Sequence, residues 1–96
     1  MIAVLAHFTI TEGQNEAFEA VCADLAVKVR AGEPGVTLYQ LVKDRKNPVL
    51  YKMMELYADK DALRAHGETE WFKAGSPKLR ALLAEPPVIE VFEAIG

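Results

Sequence analysis

The sequence predicts an α+β domain on the split βαβ plan, a four-stranded antiparallel sheet with its helices on one face. Two patterns carry that prediction. Hydrophobic residues recur with a period of two in four short segments, and with helical spacing after the first and third of them. Only Asp44-Arg45-Lys46-Asn47-Pro48, a polar turn, separates the second and third segments, which makes them a hairpin. The resulting order is β-α-β-β-α-α-β, in a chain of 96 residues that has no room for two cores.

Each element has its own signals. In the opening strand Ile2, Val4, Ala6, Phe8 and Ile10 alternate with Ala3, Leu5, His7 and Thr9. Both sets are largely apolar, so burial on both faces is expected. Thr11-Glu12-Gly13-Gln14 turns the chain. Phe18, Val21, Cys22, Leu25 and Val29 then mark the buried stripe of a helix, with Glu16, Glu19, Asp24 and Lys28 on its other side. Gly32 is expected to close this helix in the left-handed conformation, and Pro34 to prevent its continuation. Val36–Lys43 and Val49–Tyr57 form the hairpin. Asp59 suits the N-cap of a short helix through His66. Gly67 weakens that helix, and Thr69–Ala74 supplies a further helical turn. Ser76-Pro77 reads as an N-cap followed by proline at the first helical position, opening a helix over Lys78–Ala84. Pro86-Pro87 stops it, and Val88–Ile95 is the last strand.

Eleven Lys and Arg against fourteen Asp and Glu leave an interspersed net charge of −3. Nucleic acid is therefore not an expected partner, because phosphate binding needs a basic footprint. Cys22 stands alone, so no intrachain disulfide can form, and nothing has zinc-site spacing. Met1–Ile10 lacks a basic leader and is no membrane span, so a cytoplasmic protein without a membrane partner is expected. The last strand also carries apolar residues on both sides, Ile89, Val91 and Ile95 against Val88, Phe92 and Ala94. The chain's own helices can cover only one face of such a sheet. A second copy of the sheet is the economical cover for the other, so a homodimer through the sheet faces is expected.

Taken in order along the chain, several short runs resemble the antibiotic biosynthesis monooxygenase family of the dimeric α/β-barrel superfamily. They are Glu33-Pro34-Gly35 with Tyr39, Glu55-Leu56-Tyr57, Asp61-Ala62-Leu63 with Ala65-His66, and Phe72. The resemblance spans nearly the whole chain, including Gly13 after the opening strand and the Pro-Pro before the last. It implies a ferredoxin-like domain that pairs sheet to sheet into a dimeric α/β barrel, with a cavity between sheet and helices. Some relatives oxygenate quinols or polyphenols without metal or flavin. Others degrade haem, others isomerise small phosphorylated sugars, and many have no known activity. The resemblance thus implies a cofactor-independent monooxygenase of a small aromatic, quinol-type substrate. Two alternatives stay open: a dimeric module that binds a small apolar ligand without turnover, and an isomerase using Lys43, Arg45, Lys73 or Lys78.

The candidate residues follow from this. His66 matches the family's recurrent histidine and could remove a phenolic proton, since a phenolate gives up an electron to oxygen more readily than a phenol. Its competing role is to cap its own helix through a backbone carbonyl. Trp71 and Phe72 are candidates to wall an apolar pocket, although such a pair more often packs a helix onto the sheet, and for Phe72 the core is the favoured place. Tyr51, Met53, Glu55 and Tyr57 share one strand face. Tyr51 would help position a ring, and Glu55 requires either a salt-bridge partner or a wet site. Tyr39 could orient a ligand or sit in the dimer interface. His7 could face the cavity and share proton transfer with His66, or stand partly exposed at a strand end. Cys22 falls on the buried helical stripe. The resemblance also disfavours haem degradation. That branch has a ligand histidine where this chain has Ser76, and its tryptophan would correspond to His66.

Overall fold

The computed structural model describes all of residues 1–96. Its elements are β1 (Ile2–Thr9), α1 (Asn15–Gly32), β2 (Val36–Lys43), β3 (Leu50–Tyr57), α2 (Lys60–Glu68), α3 (Glu70–Arg80) and β4 (Val88–Glu93). The strands form one antiparallel sheet in the order β2-β3-β1-β4, the ferredoxin-like arrangement. All three helices lie on one side of it. The predicted element order therefore holds.

Register decides which side chains meet the helices. Ile2, Val4, Ala6 and Phe8 of β1 pair with Tyr57, Glu55, Met53 and Tyr51 of β3. All eight are buried on the helix side. Phe18 of α1 fills the centre, 5.4 Å from the Phe8 ring and 4.8 Å from Tyr51 between centroids. Cys22, Leu25 and Val29 continue its buried stripe. The alternate residues Ala3, Leu5, Met54 and Leu56 face the other way and are only partly buried. On β4, Val88 and Phe92 of that open face are 56% and 45% exposed. Burial of the first strand on both faces is thus half realised within one chain.

Two helix ends differ from expectation. Gly32 is not left-handed; the only internal positive φ belongs to Gly13, at +86°, in the turn after β1. Glu33 ends α1 instead, at φ −124° and ψ 84°, its N–H still donating to the Val29 carbonyl. The cause is Pro34, whose ring excludes the helical region for the residue before it. The second difference lies in α3. Ser76-Pro77 does not open a helix but sits inside one, because Thr69 supplies an earlier N-cap. Its hydroxyl accepts from the Phe72 N–H at 3.2 Å and donates to the His66 carbonyl at 2.8 Å. Pro77 is tolerated on the exposed side of α3, and the helix ends three residues later.

Candidate active site

An apolar cavity of about 240 Å³ opens between the sheet and the α2–α3 pair, beside β4. Its position follows from the helices: nothing covers the helix side of β4, where Ile89 and Val91 are more than half exposed. Phe8, Met53, Phe72, Leu79, Ile89 and Val91 form much of its wall. Four ionisable side chains break the apolar lining: Tyr39, Glu55, His66 and Arg80.

His66 is 5% exposed and projects from the last turn of α2. Its Nδ1 lies 3.0 and 3.1 Å from the two carboxylate oxygens of Glu33. The turn forced by Pro34 brings that carboxylate under α2, and the Trp71 indole N–H donates to the same group at 2.6 Å. With Nδ1 donating to Glu33, the neutral ring presents an Nε2 lone pair. No fully buried side-chain nitrogen or oxygen lacks a partner, so Nε2, which makes no bond within the chain, remains open to whatever enters the cavity. The carboxylate also lies against a ring that becomes cationic on taking a proton, the arrangement of an oriented general base. The rings of Tyr39, Tyr57 and Phe72 surround the imidazole at 5.4, 5.6 and 4.9 Å between centroids. His66 therefore does not cap its helix; Thr69 does.

Glu55 lies across the sheet from Tyr39 and accepts a short hydrogen bond from the Tyr57 hydroxyl. Of the two settings expected for it, the salt bridge is absent: Glu55 lines the cavity and its partner is a phenol. Burial pushes its carboxyl up to about 7, the nearby Glu33 charge adds to this, and the Tyr57 bond acts against it. Burial, helped by Glu55, likewise pushes the Tyr39 and Tyr57 phenols well above their ordinary range. Cys22 is raised to about 12, chiefly by burial, and stays an inert thiol.

The candidates thus separate. His66, Tyr39, Glu55 and Phe72 come together around the cavity. Trp71 does not wall it: the indole is partly buried where α3 meets Gly32 at the end of α1, and holds Glu33. Tyr51 lies outside too, its hydroxyl donating to Glu19 at 2.5 Å and accepting from Asn15 at 2.9 Å at the α1 end of the sheet. His7 faces the opposite side of the sheet, 2.5 Å from Glu90, so it cannot share proton transfer with His66. None of Lys43, Arg45, Lys73 or Lys78 lines the cavity; Arg80 does. Sequence reasoning missed Glu33 and Arg80 as site residues. The signal for Glu33 was an acidic residue immediately before Pro-Gly at a helix end.

Fold and site define a class: a ferredoxin-like domain with a small apolar cavity and an oriented histidine under its helices. The chain belongs to the antibiotic biosynthesis monooxygenase family, whose profile it matches over residues 1–78. It is similar to the crystal structure of a candidate antibiotic biosynthesis monooxygenase from Caulobacter crescentus. That match has 41% identity and a TM-score of 0.95, and covers 99% of this chain and 90% of that one. PA3566 of Pseudomonas aeruginosa is 30% identical with a TM-score of 0.87, over 99% and 94% of the two chains. A variant of SnoaB, a cofactor-independent oxygenase from Streptomyces nogalater, is 27% identical with a TM-score of 0.86, over 97% and 91%. No curated protein matches the sequence. No helix is long and apolar enough to cross a membrane.

Proposed function

We propose that the protein is a cofactor-independent monooxygenase of a small quinol-type aromatic, bound in the cavity with its reacting hydroxyl at His66. The observation that carries this is the Glu33–His66 pair, with Nε2 left unbonded beside an apolar pocket. His66 takes the phenolic proton, and the phenolate transfers an electron to dioxygen. Recombination of the two radicals forms a carbon–oxygen bond. Loss of water from the hydroperoxide then leaves one oxygen atom in the product. For a hydroquinone the balance is quinol plus dioxygen to hydroxyquinone plus water. Apolar walls favour this over isomerisation of a sugar phosphate, whose hydroxyl groups would meet too few partners there.

The test is oxygen uptake after anaerobic mixing with candidate quinols. His66→Ala should lower the rate by at least about a hundredfold, and Glu33→Gln by roughly tenfold or more. Unchanged uptake in His66→Ala would remove the histidine from the mechanism. Ligand-induced stabilisation without any uptake would favour the binding module. The partly exposed apolar face formed by Ala3, Leu5, Met54, Leu56 and Phe92 supports a homodimer through the sheets. Sedimentation is its test.

A further inference from the structure

The cavity has two chemically different ends. Glu55 pairs with Val4, and His66 packs on Phe72 in the first turn of α3. Arg80 ends the same helix, eight residues after Phe72, a distance of about 12 Å along its axis. Leu83 beside it bridges to Ile10, beyond Phe8, so this end lies at least ~13 Å along β1 from Val4. Hydrogen-bonding groups thus gather at one end and a guanidinium at the other, with a wall between them that is mostly apolar and includes Ser76.

Arg80 makes no ion pair; the chain's five pairs all involve other residues. Its side chain makes no hydrogen bond within the chain either. Glu55 is the only carboxylate in the lining, and Tyr57 holds it at the far end. Burial also raises its pKa, which lessens its charge near neutral pH. Arg80 is solvent-exposed, so its guanidinium stands at the mouth of the cavity, bordering apolar wall and away from the one carboxylate of the lining. A planar guanidinium so placed recognises a carboxylate through paired N–H donors.

Taking the cavity as the substrate site proposed above, we infer that its substrate is an aromatic acid. Arg80 binds the carboxylate at one end, and the ring hydroxyl at the other lies within reach of His66. A ring system of about naphthalene size spans the two. Arg80 is on this reading a specificity-determining residue, remote from the reacting atoms.

The test uses probe fluorescence to measure binding of three compounds to the intact protein: a hydroxynaphthoate, its neutral primary amide, and naphthol. The acid should bind at least about tenfold more tightly than the amide, and the ratio should shrink with added salt. Arg80→Gln should reduce that preference to roughly twofold or less while naphthol binding is retained, and Arg80→Lys should keep part of it. Equal affinity for acid and amide, or a preference that survives Arg80→Gln, would overturn the carboxylate anchor alone. Binding of none of the three would overturn the aromatic site and the anchor with it.

Discussion

Glu55 is 8% exposed with no cation beside it, and its one partner is a phenol. Folding therefore favours its protonated form. In the unfolded chain the carboxyl ionises near its ordinary 4.5, whereas in the folded chain it holds its proton to about 7. Between those values the native state binds more protons, so stability falls as pH rises and stays reduced above 7. Glu55→Gln keeps the shape and a hydrogen-bonding group for Tyr57 while deleting the titration. The variant should match wild type near pH 4.5 and exceed it by roughly 3 kcal/mol at pH 8. Urea titrations at the two pH values check this, and a constant difference between the proteins would contradict it. At this scale the sequence was only partly informative. The period of two placed Tyr51, Met53, Glu55 and Tyr57 together on one face, correctly. It could not say that Tyr57 would supply Glu55's bond, or that Tyr51 would be taken by Asn15 and Glu19. Those partners come from α1 or lie on the same strand, and only packing selects among them.

Elements meet most tightly where glycine leaves room. A Cβ on Gly35, at the entry to β2, would stand 2.7 Å from the Cβ of Ala62 on α2. Neither group is the end of a flexible chain, so helix or strand would have to move. Gly67 is the opposite case: a methyl placed there would have nothing within 4 Å, and the residue has an ordinary negative φ inside α2. Gly35→Ala should therefore destabilise by about 1–3 kcal/mol, and Gly67→Ala should stabilise by about 0.5–1 kcal/mol. Thermal unfolding of the two variants separates them, with Tm moving down for the first and up for the second. A rise for Gly35→Ala would mean that α2 does not press on this strand. The same elements show what was legible from sequence. Strands and α1 were readable because hydrophobic period and turn chemistry agree along them. The α2–α3 region was not. Ser76-Pro77 is a valid helix start in isolation, but Thr69 had already opened the helix, and local signals carry no order of precedence. That shift matters for the site, since it places Phe72, Ser76, Leu79 and Arg80 on one continuous helix along the cavity.

For the whole molecule, the open side of the sheet is the larger uncovered surface. Leu5 and Met54 are cross-strand partners on the two central strands, and Ala3, Leu56 and Phe92 lie next to them on the same face. Polar groups border it: Gln40 and Glu90 flank the Met54–Leu5 pair in the register, and His7, 2.5 Å from Glu90, lies beside Lys52. A two-fold pairing would bury the apolar part and set these polar groups against the partner's copy of the same surface, which fixes register. In that assembly Met54 is desolvated against the partner's sheet, so a charge there loses its water. In a monomer the same charge would simply face solvent. Sedimentation equilibrium at micromolar concentration should give twice the 10.6 kDa chain mass for wild type. Met54→Glu should weaken the dimer by at least about a hundredfold. Its circular dichroism should remain that of a folded α+β chain, because Met54 points away from the core the helices cover. A wild-type protein that sediments as a monomer would contradict the sheet-to-sheet assembly. So would a Met54→Glu variant that dimerises as tightly as wild type, since the central pair of that face could not then be buried.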